Sequence, residues 1–220
     1  MNTIPKLSLS FPKLLPGDLM GIYGGPIAKY LTSKIFTPST ILFHFLITGD
    51  HIPKENDYEI LESINSGVRT GRISWYYNDL YVIFRKVDVS IIDREDSFRM
   101  ASQFGRWGYD FLAYPLIFWD SMKALTKMIF KEHKLRKLNQ SDIPDHENHA
   151  FICTEFVNAC WNQVGKPIIP IQYTPIPCGY IEALEKGILK LVWINIPKSF
   201  KIDTLSKVIP SKFLSKEYWV

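Results

Sequence analysis

The chain is organised around the stretch Phe151-Ile152-Cys153-Thr154-Glu155-Phe156-Val157-Asn158-Ala159-Cys160-Trp161. From Cys153 onward, apolar residues recur at the three-and-four spacing of one helical face, and Gly165 followed by Pro167 supplies a stop signal. This pattern predicts a helix that packs against a core and begins at or near Cys153. At such a position, unpaired backbone N–H groups and the positive end of the helix dipole favour a thiolate. We expect Cys153 to be a surface-facing nucleophile; the alternative, a small buried hydrophobe, fits Cys160.

Length and composition favour a compact protein with a full core. The chain has 220 residues, 46% of them hydrophobic, and no low-complexity linker, so we interpret residues 1–220 as one domain with insertions. Three cysteines at unrelated spacings do not form a disulfide framework, which favours a reducing setting. We see no secretory signal, and the apolar window from Phe111 to Phe130 is interrupted by Pro115 and Asp120. We therefore expect a cytoplasmic protein without a transmembrane helix.

Charge is modest overall but uneven along the chain. The net charge is +4 and no zinc-finger, glycine-rich or aromatic-basic motif accompanies it, so we expect no nucleic-acid partner. Residues 123–137 carry six cationic side chains among apolar ones. They lie within a segment of about 117–149 that we interpret as a basic helical insertion. Two interpretations stay open for 123–137: an interfacial helix on an anionic membrane, or a solvated helix face over the core.

The second key stretch contains a histidine in an apolar strand. Ile41 to Thr48 is rich in β-formers and nearly all apolar, which predicts a buried strand, with Gly49-Asp50 beginning its turn. His44 is the strand's only titratable side chain. A buried histidine without a partner is costly, so His44 is either a hydrogen-bonded core residue or part of a site.

A carboxylate can reach His44 from the returning strand. Tyr58 to Ile64 predicts that strand, after a loop from His51 to Asp57, and Asn65 to Arg69 predicts the turn that ends it. Glu59 and Glu62 are separated by an odd number of positions, so they face opposite sides of a regular strand. Only one of them can lie beside His44, and periodicity alone does not say which.

The remaining segments complete an α+β pattern. Strands are predicted at Ile73–Tyr77 and Asp79–Lys86, a helix at Ser90–Gly105, and an extended loop at the four prolines of about 167–177. The polar residues Asp142, Asp145, His146, Glu147 and His149 could suggest a metal site, but they lack HExxH spacing, and clustered polar loop residues are usually solvated. We expect no metal and no cofactor.

Five motifs in one order resemble the circularly permuted NlpC/P60 cysteine hydrolases, the YiiX-like group. The motifs cover about residues 14–180, and in that group the histidine strand precedes the nucleophile helix. They are Pro16-Gly17-Asp18-Leu19, His44 in its strand, Tyr58 to Glu62 running into Gly67-Val68, Gly108-Tyr109-Asp110-Phe111, and Cys153-Thr154-Glu155-Phe156-Val157.

The resemblance implies a papain-like α+β fold, with an antiparallel sheet packed against the helix that carries the nucleophile. It implies Cys153 as nucleophile, His44 as base, and Glu62 as the residue that orients the histidine. It also implies that Tyr109 and Thr154 line the substrate site, Thr154 standing where the group usually has serine. A Cys–His–carboxylate triad of this kind generates a thiolate at neutral pH and fixes the histidine tautomer.

Three functions remain open at this stage. The first is a cysteine hydrolase of the thiol-protease type that cleaves amide bonds of a peptide or isopeptide, including cell-wall peptide, through a thioester. The second is a lipid acyl hydrolase or acyltransferase of the same fold, which the basic stretch 123–137 would suit. The third is a catalytically silent module that binds a ligand beside the proline-rich loop.

Overall fold

The computed structural model describes the strands and helices that surround Cys153 and His44. The described residues are 11–24, 36, 40, 42–64, 66–104, 108–109, 113–127, 137–138, 140–142, 150–198, 200 and 208–214. The strands among them are β1 (Leu19–Tyr23), β2 (Leu42–Ile52), β3 (Asp57–Ile64), β4 (Gly67–Arg72), β5 (Tyr81–Lys86), β6 (Gly108–Tyr109), β7 (Ala150–Phe151) and β8 (Leu189–Asn195). The α-helices in the same ranges are α1 (Ile91–Gln103), α2 (Ala113–Lys127), α3 (Cys153–Gln163) and α4 (Pro177–Glu185).

Six of the strands form one sheet in the order β4-β3-β2-β1-β5-β8, with every neighbouring pair antiparallel. The two short strands β6 and β7 pair separately and in parallel. An antiparallel sheet with packed helices makes the chain α+β.

The sheet buries side chains on both faces because successive residues of a strand point to opposite sides. One face packs against the helices, for example Phe45 and Leu61 against Phe156 of α3. The other face, which includes Leu46 and Ile60, is covered by segments outside the sheet. Both faces of the central strands are therefore apolar, which explains the nearly continuous hydrophobic sequence of β2.

Helix α3 begins where its sequence predicts. Ile152 precedes it in extended conformation, and the Glu155 carboxylate accepts a hydrogen bond from the Ile152 N–H at 2.9 Å. That bond satisfies a backbone donor at the helix start. The chain leaves the helix through Gly165, whose φ of +69° lies in the left-handed region.

The Pro16-Gly17-Asp18 motif builds a turn rather than a reactive centre. Gly17 has φ +79°, and a Cβ at this position would lie 2.8 Å from the side chains of Ser97 and Trp161. Asp18 is fully buried and accepts hydrogen bonds from Arg85 at 2.6 and 2.8 Å. The motif fixes the start of β1 against α1 and α3.

Two segments differ from their sequence-based predictions. Strand β2 does not turn at Gly49-Asp50 but continues to Ile52 through a register shift. Gly49 allows the Phe98 ring of α1 to pack closely against β2, because a Cβ at this position would overlap the ring. The predicted strand at Ile73–Tyr77 is wrong: Ile73–Tyr76 is a 3₁₀ turn. The Asp57 carboxylate accepts the Ser74 N–H at 3.3 Å, which favours a turn over strand pairing.

Other predictions are confirmed or extended. The predicted helix at Ser90–Gly105 corresponds to α1, and the predicted strand at Asp79–Lys86 contains β5. Helix α4 and strand β8 are additional elements. Among the described residues, no helix combines the length and apolar character needed to cross a membrane.

Candidate catalytic site

Cys153 is the first residue of α3. Its thiol is not surface-facing as expected: the residue is 3% exposed, and its Sγ lies 3.5 Å from the Phe43 carbonyl oxygen of β2. The thiol is buried because the start of α3 packs directly against the beginning of β2. At that helix end the first backbone N–H groups have no partner within the helix, so they are available to a negative charge.

His44 of β2 connects Cys153 to a carboxylate. Its Nε2 lies 2.6 Å from Glu62 Oε2, and Cys153 is the second side chain that raises the pKa of the ring. Because Nε2 is occupied by Glu62, Nδ1 is the nitrogen left for the thiol. The His44 side chain is 23% exposed, so the ring lies at the edge of the buried region.

The surroundings of His44 favour its imidazolium form. Burial by itself lowers the pKa of His44, but the hydrogen bonds and charges of Cys153 and Glu62 outweigh burial and raise that pKa to about 10. A cationic ring beside a thiol is the arrangement that stabilises a thiolate.

Glu62 is held as an anion although it is fully buried. Its Oε2 accepts hydrogen bonds from His44 and from the Tyr76 hydroxyl at 2.5 Å, and its Oε1 accepts the Arg69 Nε at 2.9 Å. The Arg69 Nη2 also lies 2.9 Å from Oε1. Burial raises the pKa of Glu62, but these donors, His44 first, bring it below its usual range.

Glu59 lies on the opposite face of β3. It is half-buried in a groove that Asp50, Glu95 and Phe98 also line, and not directed to open solvent as expected. The pairing of β2 with β3 places Glu62 opposite Leu46, two residues from His44 on the same face. The structure therefore brings Glu62, and not Glu59, to His44.

Arg69 and Tyr76 are two residues of the site that the sequence analysis does not identify. Arg69 pairs directly with Glu62 in the β3–β4 hairpin, in which Ile64 pairs with Gly67. A sequence prediction of a two-residue turn at Asn65-Ser66 would have implied the pairing of Arg69 with Glu62. The turn predicted above runs through Arg69, so that pairing does not follow from it. Tyr76 reaches Glu62 from the 3₁₀ turn, for which the sequence carries no comparable signal.

The structure gives less information on Tyr109 and Thr154, the two residues expected to line the substrate site. The Tyr109 backbone pairs in parallel with Phe151, two residues before Cys153, and its side chain lies outside the description. Thr154 is 1% exposed, and its carbonyl accepts the Tyr180 hydroxyl at 2.7 Å. Its hydroxyl has no hydrogen-bond partner among the described residues. The substrate-binding roles of both residues remain predictions.

The proline-rich loop is anchored to α3 by one amide side chain. Asn158 Oδ1 accepts the backbone N–H groups of Ile168 and Ile169 at 3.0 and 2.9 Å, and its Nδ2 donates to the Ile169 carbonyl at 2.9 Å. The buried amide holds the beginning of the loop against the helix that carries Cys153.

The polar segment before α3 lies largely outside the described residues. This holds for Asp145, His146, Glu147 and His149. The described part of the chain contains no cluster of three or more metal-binding side chains.

Comparison with known proteins leaves the site to be interpreted from its geometry. No protein-family model, curated protein or solved structure matches the chain. The resemblance to the permuted NlpC/P60 group therefore stands on the order and placement of the residues themselves.

We expect His44 to titrate with a pKa of about 10 in the intact protein. In the Cys153→Ala and Glu62→Gln variants this pKa should fall, because burial continues to favour the neutral ring while one of the two side chains that raise the pKa is lost. Imidazole nitrogen and carbon shifts measured by NMR across pH would test this, with the exposed ring of His51 on the same strand as a reference signal. An unchanged His44 pKa in both variants would contradict the coupling.

Proposed function

We propose that the chain is a cysteine hydrolase of the permuted NlpC/P60, papain-like type, which cleaves amide bonds of a peptide or isopeptide through a thioester. One observation carries the proposal: the Cys153 thiol, at the start of a helix, lies 3.5 Å from the carbonyl oxygen of Phe43, the residue before His44, and His44 Nε2 lies 2.6 Å from the buried Glu62 carboxylate. Nucleophile, base and orienting group are thus connected in the order that thiol hydrolases require.

Acylation starts from the ion pair in which the thiol proton of Cys153 already resides on His44, in keeping with the raised pKa of that ring. The resulting thiolate attacks the amide carbonyl carbon, and the negative oxygen is stabilised by the Cys153 backbone N–H at the helix start. The imidazolium then gives its proton to the leaving amine as the C–N bond breaks. A thioester on Cys153 and a free amine are the products of this half-reaction.

Deacylation uses the same residues in reverse. His44 takes a proton from water, the hydroxide oxygen attacks the thioester carbonyl, and the C–S bond breaks to release a carboxylic acid. Throughout, Glu62 holds the ring in one orientation and stabilises its cationic form. Arg69 and Tyr76 keep Glu62 in place from the other side.

The chain order supports the permuted type. His44 and Glu62 lie on neighbouring antiparallel strands, and Cys153 follows them about a hundred residues later on a helix packed against that sheet. The nature of the peptide, including whether it comes from a cell wall, is a matter for substrate screening.

A lipid acyl hydrolase or acyltransferase is the second candidate function. It is favoured by exposed Trp119 and Met122 beside Lys123 on α2, a combination suited to a lipid surface. Both chemistries form a thioester, so product analysis after incubation with peptide and phospholipid substrates separates them: a released amine supports amide cleavage, and a released lysolipid supports ester cleavage.

Iodoacetamide at neutral pH should label Cys153 faster than Cys160 or Cys178. All three thiols are buried, but Cys153 lies beside the cationic His44, and burial raises the pKa of Cys160 above its usual range. Replacing His44 by alanine should slow Cys153 labelling about 30-fold, because an ordinary thiol is only a few per cent thiolate at pH 7. Labelled peptides would be counted by mass spectrometry.

The matched control for that experiment is His51→Ala. His51 lies on the same strand but is exposed, and its ring centroid lies 4.9 Å from that of Tyr58 at an interplanar angle of 58°. Its replacement should leave the Cys153 labelling rate unchanged. Equal and slow labelling of all three cysteines would favour the silent binding module.

A further inference from the structure

Helix α2 has two faces of different character. Its inner face places Ile117, Ala124 and Leu125 against a buried cluster. The members of that cluster are Phe36, Leu138, Ile176 and Cys178. The outer face exposes Trp119 at 59% and Met122 at 43%. These are large apolar side chains on a helix whose other side already supplies the core contacts, so core packing does not account for them.

The same outer face is cationic. Lys123 and Lys127 are exposed beside the two apolar residues, and the Lys123 ammonium lies 5.6 Å from the Trp119 ring. The only carboxylate in the sequence of α2, Asp120, is 6% exposed and lies 3.3 Å from Lys123. The outward surface therefore combines a tryptophan, a methionine and two lysines without an exposed carboxylate of the helix.

The sequence that follows α2 extends this character. It continues with Lys131, Lys134, Arg136 and Lys137, and Glu132 is the only acidic residue between Ser121 and Ser141. Lys137 is exposed in the structure. Clusters of this charge density next to an amphipathic helix are attracted to anionic membrane surfaces, at about 1 kcal/mol per basic residue near the surface.

We propose that the outer face of α2, defined by Trp119, Met122, Lys123 and Lys127, docks the protein on an anionic lipid surface. A lipid interface accommodates both components: the apolar side chains enter the boundary between headgroups and acyl chains, and the lysine ammonium groups remain among the anionic headgroups. The contact is peripheral, with α2 lying along the surface. The proposal does not depend on which bond the catalytic site cleaves.

Vesicle flotation of the full chain tests this docking surface. Binding should be stronger to vesicles of phosphatidylcholine with phosphatidylglycerol than to phosphatidylcholine alone, and it should weaken as salt screens the lysines. The double replacement Lys123→Gln with Lys127→Gln should weaken binding about 25-fold, since about 1 kcal/mol per lysine corresponds to roughly fivefold each. Trp119→Ser should weaken binding at least about fivefold through lost apolar burial.

Matched controls are available elsewhere on the surface. Trp75 of the 3₁₀ turn is 54% exposed, so Trp75→Ser removes a comparable tryptophan that is not part of α2. Lys54 and Lys190 are exposed lysines of β2–β3 and β8, and their joint replacement by glutamine removes the same charge. Both control variants should bind the vesicles like the unmodified chain, and circular dichroism should show that every variant is folded.

Three results would overturn the proposal. One is equal binding of the unmodified chain to neutral and anionic vesicles. Another is a loss of binding in the control variants as large as in the α2 variants. The third is that the α2 replacements leave vesicle binding unchanged but abolish a different interaction. That interaction would be either concentration-dependent self-association or retention by a DNA duplex. Because the readout is vesicle binding, the result is independent of hydrolase activity.

Discussion

Replacement of Cys153 by alanine is expected to abolish turnover and leave the protein folded. The thiol is the only group proposed to form the acyl intermediate, so turnover should fall on the order of 10⁵-fold or more. Because Cys153 is 3% exposed, the lost sulfur contacts should cost about 1 kcal/mol in the free energy of unfolding. Hydrolysis of a responsive peptide or acyl substrate, together with thermal unfolding, measures the two effects.

Cys160→Ala is the matched control on the same helix. Cys160 is fully buried in the core and has no proposed role in chemistry, so its replacement should lower stability by about 1 kcal/mol and spare turnover. If Cys153→Ala unfolds the protein or retains turnover, Cys153 is a structural residue and the proposed mechanism is wrong. If Cys153→Ala and Cys160→Ala both lose turnover and lose equal stability, Cys153 is likewise a structural residue and the proposed mechanism is wrong.

Glu62→Gln is expected to reduce turnover by roughly 10⁴-fold, as losses of the orienting carboxylate in triads do. The amide keeps an acceptor for His44 but removes the charge that stabilises the imidazolium. Stability should also fall, by about 1–3 kcal/mol, because the amide must turn its NH₂ group toward donors. Both carboxylate oxygens of Glu62 already face donors, from His44 and Tyr76 on one side and Arg69 on the other.

Glu59→Gln provides the comparison on the same strand. Glu59 lines a groove on the opposite face and does not contact His44, so both turnover and stability should change little. Initial rates and denaturant unfolding of the two variants would be measured side by side. If Glu59→Gln is the damaging change, the register between β2 and β3 in solution is shifted by an odd number of residues from the register in the structure.

Local patterns were sufficient for the elements that carry the site. The three-and-four spacing after Ile152 predicts α3, and the apolar run around His44 predicts a buried strand; both are present. These predictions succeed because helical and strand periodicities are properties of neighbouring residues. Gly49 is an exception to local reasoning: the glycine predicts a turn in the sequence, but in the structure it lies within a strand and leaves room for the Phe98 ring.

The choice between Glu59 and Glu62 required the pairing of strands. Strand alternation places the two carboxylates on opposite faces, but the face that meets His44 depends on the register between β2 and β3. The same holds for Arg69, which meets Glu62 only because Ile64 pairs with Gly67 in the β3–β4 register. Tyr76 depends on a 3₁₀ turn formed around the Asp57 carboxylate, a contact between residues seventeen positions apart.

The sequence by itself determined the α+β class, the helix that begins at Cys153, the strand that holds His44 and the two candidate carboxylates. Tertiary structure decided that Glu62 is the partner of His44, that Arg69 and Tyr76 surround it, and that the Cys153 thiol is buried. The physical reason is the range of the interactions. Propensity and periodicity act between residues a few positions apart, whereas the hydrogen bonds of the site join groups that only sheet register and helix packing bring within 3 Å or so.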